Sequence, residues 1–217
     1  MGEGSGPVGE EEAAGWHDLA SNRPGQAVRD KATEAARAAP VKTVLARVLG
    51  VRTDERAWGV GADGEVEVGW KLRKLGPRWR VIHSVPVGRG DSDIDHVVIG
   101  PPGVFSLNAK NHGRGRVWVA EKVLMVNGQK KDYLRNSRFE AQRASKYLSR
   151  ACGFDVAVEP VIVVMAGSLT IKAAPAGVQV IGRKQISGWL SRRPATMGTE
   201  RVEQIFEQAR RDSTWRS

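Results

Sequence analysis

Between Asp91 and Asn111 the chain reads DSDIDHVVIGPPGVFSLNAKN, two short apolar runs separated by Gly-Pro-Pro-Gly. The runs are rich in β-branched residues, and Gly100, Pro101, Pro102 and Gly103 break any helix that might join them. An antiparallel hairpin is predicted, with strands over 94–99 and 104–109. Pairing Ile99 with Val104 carries the register through Val98 with Phe105, Val97 with Ser106 and His96 with Leu107 to Asp95 opposite Asn108. Asp93 then faces Lys110. Because side chains alternate along a strand, Asp95, Asn108 and Lys110 emerge on one face, the first two about 5 Å apart as opposed residues. Ile94, Val98, Phe105, Leu107 and Ala109 take the other face, which can be buried. An acid, an amide and a lysine gathered at the strand ends have no packing role, so this end of the hairpin reads as a site.

A second acid joins it from upstream. Residues 62–75 predict a helix whose stripe at three- and four-residue spacing is Glu65, Val68, Leu72 and Leu75. A carboxylate on an apolar stripe needs a partner, because burying an unpaired charge is costly. Either Glu65 reaches the hairpin site, or it sits in the first helical turn, where the helix dipole stabilises an acid. Gly61 and Gly64, which permit close backbone approach, favour the first reading.

The remaining pattern alternates strands and helices. Strands are expected over 80–86, 116–119 and 123–126, the last pair closed by Asn127-Gly128, in one mostly antiparallel sheet of at least four strands. A helix over 137–151 carries a capping signature, Ser137 three residues before Glu140, and stops at Gly153. On it, Arg135, Arg138, Gln142, Lys146 and Arg150 form a stripe that is either a phosphate-binding ridge or a solvated face. Gln142 is also a secondary candidate for the pocket. Residues 160–166 (PVIVVMA) are continuously apolar and predict a central buried strand parallel to a neighbour. A short strand over 178–181 and helices over 186–190 and 199–209 close the domain.

Length and charge bound the function. With 217 residues the chain supports one α/β domain plus extensions, and 34 Lys and Arg against 24 Asp and Glu give a net charge of +10, suited to a polyanion. The single cysteine, Cys152, excludes an internal disulfide and a Cys-rich zinc site. No apolar run reaches membrane-spanning length, and the acidic, Gly-rich N-terminus is unlike a signal peptide, so a cytoplasmic protein is expected. Residues 1–25 are expected to be disordered and 26–57 to form a helical arm, interrupted at Pro40, that packs outside the domain, contacts nucleic acid or forms a homodimer. The domain proper is placed at 58–210, with a frayed tail over 211–217. No phosphate-binding Gly-Lys-Ser/Thr loop and no nucleophilic triad is visible, which argues against nucleotide hydrolysis.

From about Trp58 to Gly167 the chain resembles the nuclease-related domain (NERD) family, a branch of the PD-(D/E)XK nucleases. The resemblance rests on Gly61-Ala62-Asp63-Gly64-Glu65, Ile94-Asp95-His96, Gly103-Val104-Phe105 and Asn108-Ala109-Lys110-Asn111. It implies a restriction-endonuclease-like mixed sheet flanked by helices, here with an N-terminal helical extension. It also implies a nuclease using Mg²⁺ or Mn²⁺, held by Glu65, Asp95 and position 108, with Lys110 assisting attack on a phosphodiester, most naturally of DNA. Asn108 departs from the pattern, which has Glu or Asp there, so the site carries two negative charges where three are usual. Asp93 either compensates or pairs with Lys110. The alternative is a nucleic-acid-binding module that retains the nuclease scaffold with little or no turnover. His96, on the core-facing side of its strand, reads as structural.

Overall fold

The computed structural model of the chain describes residues 15–26, 54–88 and 93–216, with residues 54–62 as backbone alone. The arm expected over 26–57 lies outside the described residues, apart from Gln26 and the backbone of 54–57. Nine strands are described: β1 (Arg80–Pro86), β2 (Asp93–Gly100), β3 (Gly103–Asn111), β4 (Arg116–Ala120), β5 (Val123–Val126), β6 (Gln129–Lys131), β7 (Val158–Met165), β8 (Ser168–Ile171) and β9 (Gln179–Gly182). The helices are α1 (Asp54–Leu72), α2 (Tyr133–Cys152), α3 (Ile186–Ser191) and α4 (Thr199–Ala209). The strands form two mixed sheets, ordered β1-β2-β3-β7-β9 and β6-β5-β4-β8. Two mixed sheets flanked by helices are the architecture of a restriction-endonuclease-like fold.

The central hairpin has the expected register from Ile99–Val104 to His96–Leu107. Its ladder also includes Gly100 with Gly103, so Pro101 and Pro102 alone form the turn. Gly103 sits at φ +144, a conformation that residues with a Cβ rarely adopt. β7 runs parallel to both β3 and β9, and its run from Pro160 to Met165 is buried throughout, as a strand covered on both faces requires.

The strands over 116–126 do not extend the main sheet as expected. They build the second one, in which Val117, Val119, Leu124 and Val126 pack with Ile162, Val164, Val178 and Val180. Asn127 and Gly128, at φ +51 and +81, close β5 onto β6 and not β4 onto β5. The apolar face of this small sheet covers one face of the parallel half of the main sheet, which would otherwise leave Ile162 and Val164 exposed to water.

Two other layers complete the core. On one face of the main sheet Val68 and Leu72 of α1 pack with Val98, Phe105, Leu107, Val161 and Val163. On the other, Ala144 and Leu148 of α2 and Val202 and Ile205 of α4 pack with Ile82, Val97, Ile99 and Val104. Ile94 was expected beside Val98 and Phe105, yet it joins the second cluster with Val97. Ile82 and Val85 in β1 likewise share that cluster although three residues apart. Strict alternation would put each pair on opposite faces, so both strands break their alternation between these residues, where Ser84 adopts φ +50. Asp95 lies in that break.

Two segments near the chain ends depart from expectation. Residues 15–25 lie in the stretch expected to be disordered, but Leu19 is buried, Asp18 is ion-paired with Arg210, and Asn22 Nδ2 donates to the carbonyls of His83 (3.1 Å) and Ser84 (3.2 Å). At the other end, where fraying was expected, Asp212–Trp215 forms a 3-10 turn. Trp215 is completely buried, and its Nε1 donates to the Ala209 carbonyl at 2.8 Å. One large apolar side chain at each end, locked by an ion pair and long-range hydrogen bonds, offsets the ordering entropy that composition alone suggested would win.

Candidate active site

Glu65 lies about three helical turns inside α1, which begins at Asp54, so the helix-dipole explanation for it does not hold. It is nevertheless buried, at 7% exposure. Gly64 is the reason it reaches the sheet: a Cβ there would stand 2.8 Å from Met165 Cε and 3.1 Å from Asn111 Cβ. The helix is pressed directly onto the ends of β3 and β7. Burial first, then the charge of Asp95, pushes the Glu65 carboxyl up to about 8, against the opposing effects of Lys110 and the Gly25 amide.

Asp95 is deeply placed, with only part of its surface reaching solvent. Desolvation raises its carboxyl, opposed by the Lys110 charge and by the hydrogen bond that the Ala109 amide donates to Oδ2 at 2.6 Å. That bond takes the place of the expected Asp95–Asn108 rung, since the β2–β3 ladder ends at His96–Leu107. Asp93 adds a further negative charge acting on both Glu65 and Asp95.

Asn108 is buried and turned towards α2, where its Nδ2 donates to Glu140 Oε2 at 2.6 Å. Lys110, two residues on, shares that side. Asn108, Lys110, Tyr133, Asn136, Ser137, Glu140 and Ile162 line a cleft of about 100 Å³. Lys110 Nζ lies 5.5 Å from the centre of the Tyr133 ring. Desolvation raises the Glu140 carboxyl too, with Lys110 and the Asn108 amide opposing and Asp95 reinforcing the rise. Lys110 is thus the cation common to all three carboxyl groups.

The sequence reading missed Glu140 because it assigned that residue to a helix cap. In fact α2 begins at Tyr133, and Ser137 lies within it, buried, its hydroxyl without a hydrogen-bond partner. The signal was available: an acid next to the inward stripe of Ser137, Ala141 and Ala144, the same pattern that singled out Glu65. Gln142, the secondary candidate for the pocket, is exposed and does not line it.

The proposed ridge is exposed along α2 at Arg135, Arg138, Gln142, Lys146 and Arg150. Arg135 pairs with Asp132 at 3.3 Å, and Arg138 donates to the Ala176 carbonyl at 2.9 and 3.1 Å. Phe139, next to Glu140, is 58% exposed, with the Arg143 guanidinium 5.7 Å from its ring centre. His96 is fully buried against the backbone of Glu65, its Nδ1 2.8 Å from that of His83. A cavity of about 720 Å³ lies elsewhere, between Phe105, Phe154 and Arg201, and contains none of these site residues.

The donor chemistry suits a hard divalent cation, since Glu65, Asp95, Glu140 and the Asn108 amide offer only oxygens. Among the described residues no three His, Cys, Asp or Glu side chains stand as a preformed cage. Desolvation raises all three carboxyl groups, and Lys110 opposes the rise at each, joined at Glu140 by Arg143. No described helix is long and apolar enough to cross a membrane.

Residues 60–165 match the family model of the nuclease-related domain, NERD. The match runs from within α1 to the end of β7 and takes in Glu65, Asp95, Asn108, Lys110 and Glu140. No curated protein and no solved structure matches the chain.

Proposed function

We propose that this chain, whose residues 60–165 are a nuclease-related domain, is a divalent-metal-dependent nuclease that hydrolyses phosphodiester bonds of DNA and serves in DNA processing or repair inside the cell. The observation that carries this reading is the buried Glu65, pressed through Gly64 onto the ends of β3 and β7, together with Asp95, whose carboxylate accepts from the Ala109 amide next to Lys110. Structural ion pairs normally match acid with base, whereas here the acids outnumber the lysine.

Glu65, Asp95 and the side-chain oxygen of Asn108 are the groups to hold Mg²⁺ or Mn²⁺. A cation so bound neutralises phosphate charge and lowers the pKa of its water. Ala109 fixes Asp95 through one oxygen and leaves the other available. Lys110, at the end of β3, orients the attacking water or stabilises negative charge developing at phosphorus. The exposed stripe of Arg135, Arg138, Gln142, Lys146 and Arg150 then tracks the phosphate backbone, and the net charge of +10 steers the polyanion towards it. Dimerisation through the N-terminal arm is compatible with this arrangement.

The test is incubation of purified protein with linear, nicked and single-stranded DNA in Mg²⁺ or Mn²⁺. Cleavage that disappears in Asp95→Ala and Lys110→Ala is expected; cleavage indifferent to both substitutions, or none under any condition, overturns the reading. A second reading, a binding module without turnover, is favoured by the amide at Asn108 and by the lack of a preformed acidic cage among the described residues. It predicts salt-sensitive DNA binding that ignores metal and survives Asp95→Ala.

A further inference from the structure

We infer that Glu140 of α2 supplies the carboxylate that β3 lacks at Asn108, so that the cation site is completed from a helix on the other side of the sheet. This inference rests on the metal-dependent reading above. Its first support is geometric. Asn108 does not leave its amide idle but donates it to Glu140 Oε2 at 2.6 Å. The two side chains thus occupy one location, with the negative charge moved from the strand residue to its helical partner.

The second support is energetic. A hydrogen bond to the Asn108 amide needs only a neutral acceptor, for which glutamine would serve, whereas a desolvated carboxylate costs several kcal/mol unless something compensates it. Lys110 acts on Glu65, Asp95 and Glu140 alike, and Arg143 adds a second positive charge at Glu140 alone. A third, independent observation is Ser137. The residue is 2% exposed and lines the same cleft, and its buried hydroxyl has no hydrogen-bond partner. A buried hydroxyl left unpaired beside a carboxylate points to a ligand or an ordered water in the cleft.

The experiment exploits the reversibility of the Asn108–Glu140 hydrogen bond. Glu140→Gln keeps an acceptor for Asn108 and removes the charge. The double variant Asn108→Asp with Glu140→Gln reverses the donor and acceptor and returns one carboxylate to the strand. Mn²⁺ alone is titrated calorimetrically into the full-length protein and each variant, with far-ultraviolet circular dichroism and thermal melting confirming the fold. The inference expects Glu140→Gln to bind Mn²⁺ about 10–100-fold more weakly, and the double variant to return to within about threefold of the parent.

Unchanged affinity in Glu140→Gln overturns the inference while leaving the metal-dependent reading intact, because Glu140 is then only a hydrogen-bond acceptor. A weakened single variant without recovery in the double also overturns it, since the lost charge would not be the one missing from the strand. Absence of Mn²⁺ binding in the parent at millimolar concentration overturns both. Should Glu140→Gln fail to fold, the single variant Asn108→Asp decides. Two carboxylates sharing one location should bind Mn²⁺ more tightly than the parent, and equal affinity counts against Glu140.

Discussion

Ser84 and Asp95 face one another across β1 and β2, between the ladder pairs His83–His96 and Val85–Ile94. Ser84 is at φ +50, and the ladder from β2 to β3 ends one residue short of Asp95. There the Asp95 carboxylate accepts from the Ala109 amide at 2.6 Å, and its charge acts on both Glu65 and Glu140. The break in regular pairing is what makes a meeting point out of a strand.

Replacing Ser84 by valine should therefore cost stability and disturb the site together. A β-branched residue in the left-handed region is strained by about 1–3 kcal/mol. Denaturant unfolding of Ser84→Val is expected to show a loss of that order, and Mn²⁺ titration a weaker affinity. A valine variant with wild-type stability would mean that the backbone relaxes there at no cost.

Lys110→Ala should separate cation binding from turnover. Lys110 repels a divalent cation while opposing the rise of all three carboxyl groups. Its removal is expected to leave Mn²⁺ affinity unchanged or tighter, yet lower cleavage by roughly 10²–10³-fold, the usual loss when a group that stabilises developing charge is removed. Parallel loss of both properties would assign Lys110 to holding the fold of the site.

The His83–His96 contact predicts a defined acid response. Burial, reinforced by the nearby Arg73 charge, lowers His83 to about 4 from its ordinary 6.5. The unfolded chain then takes up the proton first, so the contribution of His83 is complete above pH 6.5 and is lost progressively as pH falls towards 4. Asp18, held below its usual range chiefly by its hydrogen bond with Arg210, contributes above about 3.8 and is lost only at lower pH, outside this window. Unfolding free energies of the parent and His83→Gln, compared between pH 7.5 and 4.5, should converge as pH falls. Parallel curves would rule out a neutral buried His83.

Nucleic-acid binding should divide between charge and stacking along α2. Lys146→Ala and Arg150→Ala are each expected to reduce the salt slope of DNA affinity by about one, as loss of a phosphate contact does. Phe139→Ala should leave that slope alone and weaken single-stranded DNA by about 1–3 kcal/mol, the worth of one aromatic–base stack. Fluorescence anisotropy at several salt concentrations, on single- and double-stranded probes, measures both. Equal weakening on both probes would remove Phe139 as a stacking platform.

Much of the candidate site was legible in the sequence because it lies on local periodicity. The hairpin register follows from the position of its turn, and Glu65 stood out as an acid on an apolar helical stripe. Glu140 was hidden by the Ser137 signature: spacing suggested a cap, whereas the start of α2 at Tyr133 turned Ser137 and Glu140 towards β3. Position 94 was misplaced for a related reason, since alternation holds only while the ladder is regular, and Ser84 shows no sign of φ +50 in its residue type. Residues 15–25 and 211–216 looked too polar to be ordered because their anchors, Leu19 and Trp215, are single residues in polar surroundings.

The amino-acid order by itself determined the elements: which runs are strands, where Gly153 stops a helix, and that Glu65, Asp95 and Lys110 stand out as site candidates. Those features depend on contacts within a few residues, where steric and hydrogen-bond preferences are strong. Only the tertiary structure decided that β4 to β6 form a second sheet, that residues 15–26 and 211–216 close onto the core, and that Asn108 meets Glu140. These depend on which distant apolar faces find each other, and that choice is made by the burial of the whole chain at once, not by any short stretch of it.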